Sequence, residues 1–293
     1  MKAVCLAILL LAGVARADEI SDAFDALKRA EAARNAADIR KYSVETSRLA
    51  RAEMVKQLPP EVRNEYQKER AIYLSQTDIY TEYSMAVAAG WTAVDPAIVI
   101  QLTETIIAQN PKSDYLALAV PPYIAAMPNA DQQLQAAAKI LALQPDNEDA
   151  LLAVADANLR SQKFSEASRA AAELLASISG KPRPERYTAD SWRDRKAQLI
   201  VNAHFMAGVA GCSREAWQEC DMHFRAIVSD DSLRGQVNFY LGWANYQVGK
   251  SAKDRSRLEE ALRFSLAAAA VSGPMQEAAT KNAAAIQREL SGK

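Results

Sequence analysis

The sequence predicts an all-α chain of stacked helical hairpins, and three observations carry that prediction. The chain holds 58 alanines among 293 residues and only 10 glycines. Alanine is the best helix former and glycine among the poorest. Proline-ended apolar segments recur at a fixed interval, Asn110-Pro111 and Gln144-Pro145 lying 34 residues apart. Gly208 and Gly242 are separated by 34 residues as well, and that is the period of a two-helix repeat. The same composition argues against a Gly/Pro-turned β-sandwich and against a doubly wound sheet with glycine-rich phosphate loops. With 35 basic and 36 acidic residues, no charge excess points to nucleic acid or anionic lipid as the partner.

In chain order, residues 1–17 read as a secretory signal peptide. Lys2 gives a positive start, Ala3 to Val14 is apolar, and Ala15-Arg16-Ala17 is a small-x-small cleavage site. The apolar run is shorter than the roughly 20 residues a spanning helix needs. Export to a periplasmic or extracellular space is therefore expected, with no membrane segment in the mature chain. Loss of Lys2 and Arg16 leaves 33 basic against 36 acidic residues, a net charge of −3.

Residues 18–90 predict N-terminal helical hairpins. Ile20, Phe24 and Leu27 share a helical stripe, Asn35 to Asp38 is a break, and Pro59-Pro60 stops the second helix. Tyr66, Tyr73, Tyr80 and Val87 then recur at sevenfold spacing beside Ile72, Ile79 and Ala86. This predicts a core seam against neighbouring helices, the alternative being a sugar or peptide platform. Asp95-Pro96 opens the next helix, with Asp at the cap and Pro at the first position. Residues 91–180 are read as degenerate repeats, 181–188 as a charged two-proline linker, 189–274 as C-terminal repeats, and 275–293 as a capping helix and tail.

Residues 148–179 resemble a tetratricopeptide repeat, with Leu151, Val154, Ala155, Ala167, Ala171 and Leu174 at the helix-packing positions. Residues 235–274 are similar, with Leu241-Gly242, Tyr246, Gly249 and Leu258 to Leu262. They carry an insertion of about seven residues around Lys250 to Arg257, expected to lengthen the inter-helix turn. Residues 201–234 are a weaker copy, with Ala207-Gly208, Trp217, Cys220, Phe224 and Ile227. In 114–145, Pro121-Pro122 falls inside the first helix, and a broken helix is expected there. The resemblance covers residues 110–293. It implies a right-handed α-α superhelix, a TPR-like solenoid, preceded by the N-terminal hairpins.

The same resemblance implies a groove lined by the second, fifth, ninth and twelfth positions of each repeat. Those positions are Asp149, Leu152, Asp156 and Leu159, then Asn202, Phe205 and Val209, then Gln236, Phe239, Trp243 and Tyr246. They form an apolar, aromatic strip with amide edges, suited to an extended peptide or a partner helix. The alternative for Phe239 and Trp243 is packing beneath the capping helix. The basic residues with which such domains clamp a terminal carboxylate are not found at the matching places.

Catalytic signals are sparse: no GxSxG elbow, P-loop, GxGxxG, CxxC or HExxH occurs. The two histidines, His204 and His223, could form a metal cluster with Cys212 and Cys220, although Cys-x7-Cys fits no structural zinc spacing. A disulfide between Cys212 and Cys220 is the other reading. On one helix they would stand about 12 Å apart, so a bridge requires Cys212 to lie in a turn. The expectation is an exported, non-enzymatic scaffold without cofactor, binding a protein or peptide of a bacterial cell envelope. The alternatives are a helical enzyme or metal-binding domain built on the His/Cys cluster and a structural subunit of an oligomer.

Overall fold

The computed structural model describes residues 19–57, 64–184 and 187–292. The expected signal peptide and the Pro59-Pro60 stop lie outside the described residues. Among the described residues the regular elements are helices, with no strand, and no helix is long and apolar enough to cross a membrane. The chain forms two compact units, Met1–Pro128 and Asn129–Lys293. The division therefore falls at Pro128 rather than at residue 90 or in segment 181–188. That segment is tied down instead. Lys181 Nζ pairs with the buried Glu148 carboxylate at 2.6 Å, and Tyr187 stacks on Trp192 with ring centroids 5.5 Å apart.

The first unit comprises α1 (19–32), α2 (Ala36–Met54), α3 (Asn64–Ala89), α4 (Pro96–Gln109) and α5 (Leu116–Ala125). The Asn35 side chain caps α2 by accepting from the Asp38 amide, and Asp95 caps α4 by accepting from Ala97. Helix α3 packs on α2, α4 and α5. Its buried face carries Leu74, Thr77, Thr81, Glu82, Ser84, Met85, Ala88 and Ala89, opposite Ser43, Thr46 and Ser47 of α2. Small hydroxyl side chains allow close approach. The Ser43 and Thr46 hydroxyls are buried without a partner among the described residues, while other polar groups are bonded between segments. Ser47 Oγ donates to Asp78 at 2.5 Å, and Asn110 Nδ2 donates to the buried Glu82 carboxylate at 3.1 Å.

That face corrects the tyrosine seam. Tyr66 and Ile72 are 55% and 57% exposed, and Tyr73 and Ile79 are also exposed. Only the C-terminal end of the stripe turns inward, where Tyr80 meets the Phe24 ring edge-on at 5.3 Å and Ala86 is buried. The physical reason is that threonine, serine and alanine supply the contact face, so a search for large apolar residues follows the wrong side of α3. A second correction concerns Pro121-Pro122, which lie inside an unbroken α5. Proline has a helix-compatible φ, but inside a helix it forfeits its donor and its ring crowds the carbonyl four residues earlier, a cost that burial of the surrounding side chains must offset. In this ten-residue helix, Leu116, Ala119, Val120, Tyr123 and Ile124 are buried against its neighbours.

The second unit comprises α6 (Ala130–Leu143), α7 (Glu148–Arg160), α8 (Phe164–Gly180), α9 (Ala189–Ser213), α10 (Trp217–Ala226), α11 (Arg234–Ala252), α12 (Arg255–Ala269) and α13 (Gln276–Ser291). A 3₁₀ turn, Asp231–Leu233, precedes α11. Each helix packs on the next, and α7 also touches α9, α9 touches α11, and α11 touches α13. Contact with the next-but-one helix makes these hairpins a continuous array. The glycines mark where the pairs close. A Cβ on Gly208 would stand 2.7 Å from the Phe224 ring, and one on Gly242 would stand 2.5 Å from Ser265 Oγ and 3.0 Å from its backbone nitrogen.

One turn recurs through the chain. Arg34, Gln162, Glu215 and Lys253 each adopt left-handed φ, between 52° and 61°. The following amide bonds back to a carbonyl five residues earlier: Asn35 to Ala30, Lys163 to Asn158, Ala216 to Gly211 and Asp254 to Gly249. This is the helix-terminating 6→1 bond. It corrects the expected lengthened turn at Lys250 to Arg257, because the inserted residues extend α11 to Ala252 and leave only Lys253-Asp254 as the connection. The last three of these turns fall 53 and 38 residues apart, so the 34-residue interval of the sequence is not kept at the turns. A non-glycine residue in this conformation is strained. Lys253→Gly is accordingly expected to stabilise the protein by about 0.5–1 kcal/mol, read as a rise in the denaturant midpoint at unchanged slope.

Candidate aromatic face and histidine hairpin

Two neighbouring places in the second unit gather chemistry. The first is an aromatic cluster contributed by α9, α10 and α11. Phe224, fully buried, stacks on Tyr240 with centroids 4.7 Å apart and planes inclined by 4°. Phe205 meets Phe224 edge-on at 5.7 Å, and Trp243 meets Trp217 at 5.1 Å. Phe239 lies 5.3 Å from Tyr240 and 6.2 Å from Trp243. Burial pushes the Tyr240 hydroxyl above its ordinary pKa, so it stays neutral. The outer rings of this cluster, with Ala278, Lys281 and Asn282 of α13, line an open depression of about 390 Å³. Its floor is apolar, and a cation and an amide stand at its rim.

The residues expected along a groove divide into three groups. Leu152 packs into two core clusters, against Leu151, Leu174 and Ala203 and against Ile178, Trp192 and Leu199. Phe205 and Val209 pack on the cluster around Phe224, and Tyr246 packs on Leu258, Ala261 and Ile286. These four side chains serve the joints between helices. Asp149 pairs with Arg195 at 2.6 Å, and Asp156 with Arg160 at 2.6 Å. Asn202 accepts from Gln198 at 3.1 Å, while Leu159 and Gln236 are half-buried. Phe239 and Trp243 are brought together at the depression. Sequence reasoning missed Tyr240, which touches Phe205, Phe224, Phe239 and Trp243. It also missed the wall built by α13. Tyr240 falls between the repeat positions, and nothing local in the sequence ties residue 240 to residue 282.

The second place is the α9–α10 hairpin. Cys212 in the last turn of α9 and Cys220 in the first turn of α10 form a disulfide, with Cα atoms 5.1 Å apart. Both cysteines are buried. With their sulfurs bonded to each other, the four-residue His/Cys ligand set is not available as thiolates. The histidines do meet: the Nδ1 atoms of His204 and His223 are 3.0 Å apart, so one ring donates to the other. Burial lowers the pKa of His204. Burial also lowers that of His223, aided by the nearby His204 charge and opposed by Glu219.

Both folded-state pKa values lie below the ordinary histidine value of about 6.5, so the unfolded chain binds more protons in that range. The stability the neutral pair contributes is therefore complete above about pH 6.5 and lost as pH falls through and below it. The melting temperature is expected to drop between pH 7.5 and pH 5.5, and the His204→Gln/His223→Gln double variant to show a smaller drop. Parallel thermal melts across that range check this.

No protein-family model matches the chain, and neither a curated protein nor a solved structure matches it.

Proposed function

We propose that this protein is an exported, non-enzymatic scaffold whose second unit is a TPR-like right-handed solenoid that binds an envelope partner. The observation that carries this reading is the depression beside Phe239 and Trp243, a half-buried aromatic surface left open between α11 and α13. Aromatic side chains held by neighbours lose little rotamer freedom on binding, so a few of them supply much of an interface's affinity. The solenoid reading is supported by the next-but-one helix contacts and by glycines at the close approach of paired helices. It is further supported by the position of α13 against α11 and α12, where a terminal helix covers the last hydrophobic face. Export is supported by the buried Cys212–Cys220 disulfide, a bond that persists in oxidising compartments.

The partner's contribution is an apolar side chain on an extended segment or helix that seats against Phe239. Trp243 also packs on the core, so Phe239 is the cleaner probe. Phe239→Ser is expected to reduce capture of the envelope partner at least about tenfold, with helicity and melting temperature near those of the unaltered protein. Undiminished capture by that folded variant contradicts the proposal.

A further inference from the structure

The chain contains two histidines in 293 residues, and folding brings these two together from positions 19 apart. They stand on facing helices with ring centroids 5.2 Å apart and planes inclined by 51°. The separation of their Nδ1 atoms, 3.0 Å, suits more than a hydrogen bond. Two imidazole nitrogens bound at about 2.0 Å to one cation, at right angles, stand about 2.8 Å apart. A tetrahedral cation requires about 3.3 Å. The geometry points to a divalent-cation site on His204 and His223, taking copper(II) in preference to nickel(II) or zinc(II), with water completing the coordination.

The fold supports such a site in three ways. The disulfide and the left-handed Glu215 turn clamp α9 to α10 a short distance along the hairpin, so the rings are preorganised. Burial keeps both imidazoles neutral at neutral pH, the form that binds metals. Glu219 lies one helical turn before His223 and contributes a negative charge near it, partly balanced by its ion pair with Arg214 at 2.6 Å. Binding requires the donor ring to move its proton from Nδ1 to Nε2. Both Nδ1 lone pairs then face the cation, and no proton is released. The preference for copper follows from the general affinity order of divalent metals for nitrogen donors. This site is independent of the peptide-binding reading, since neither His204 nor His223 lines the depression.

The test titrates untagged mature protein with copper(II) against a weak competing chelator, then records pulsed electron paramagnetic resonance of the complex. One copper per chain is expected, carrying the modulation of two imidazoles. No other histidine exists to supply that signal. His204→Gln and His223→Gln are each expected to weaken binding about tenfold or more. Binding that is unchanged in the double variant overturns the proposal, as does a bound copper showing one imidazole or none. Where a variant fails to fold, the spectrum of the unaltered protein decides alone.

Discussion

Phe224→Ala is expected to destabilise the second unit by about 3–5 kcal/mol, the range for emptying a buried aromatic site. Phe224 is fully buried. Its ring fills the space that Gly208 leaves open, contacting the position of an absent Cβ at 2.7 Å, and its other face stacks on Tyr240. The cluster around it joins α9, α10 and α11, so neighbouring helices cannot collapse into the cavity without moving a hairpin. Chemical denaturation followed by tryptophan fluorescence measures the loss. Trp217 and Trp243, packed against the same cluster, should report it at one denaturant midpoint. A loss below about 1 kcal/mol would show that the glycine-to-ring contact is loose.

Asn245→Ala is expected to cost about 2–3 kcal/mol, through the loss of buried hydrogen bonds to charged groups. Asn245 is fully buried in α11. Its Nδ2 donates to Asp221 of α10 at 2.6 Å and to the Leu241 carbonyl at 2.9 Å, and its Oδ1 accepts from Arg257 of α12 at 2.7 Å. Asp221 also pairs with Arg225 at 2.8 Å, and Arg225 with Glu260 at 3.0 Å. One amide thus ties three successive helices, and its loss removes a hydrogen bond from the Asp221 carboxylate and another from the Arg257 guanidinium, which keep only their ion pairs. A double-mutant cycle with Asp221→Ala should return a coupling of about 1 kcal/mol or more; strict additivity would mean that the two groups act independently.

These two positions also show which parts of the molecule were legible. Helix ends were, because their determinants are local. Asp95-Pro96 caps α4 as its residue types require. The two 34-spaced Pro turns share one bonding pattern, Asn110 to Ile106 in the first and Gln144 to Ile140 in the second. The alanine-rich composition gave the all-helical class for the same reason. What was not legible depends on groups distant in sequence. Nothing local in the sequence ties Asn245 to Asp221 and Arg257, which meet only when the helices are stacked. The core face of α3 was hidden because it is built from Thr77, Thr81 and Ser84.

Turns closed by left-handed Gln162, Glu215 and Lys253 carry no glycine to announce them. The inserted residues near Lys250 could be absorbed as extra helix or as loop, and the polar side chains suit both. At the candidate site, Phe239 and Trp243 were visible as repeat positions. Their setting came only from the approach of α13, whose Ala278 and Asn282 are about 40 residues further on.

The most direct test of the central claim places a photoreactive side chain at position 239 in cells and identifies what it captures. A second chain carries the same group at Arg263, an exposed position of α12. The account predicts one discrete adduct from position 239, with a peptide of another envelope protein, and none of comparable yield from position 263. Equal, diffuse labelling at both positions would contradict it, and so would adducts from position 239 made only with a second copy of this chain.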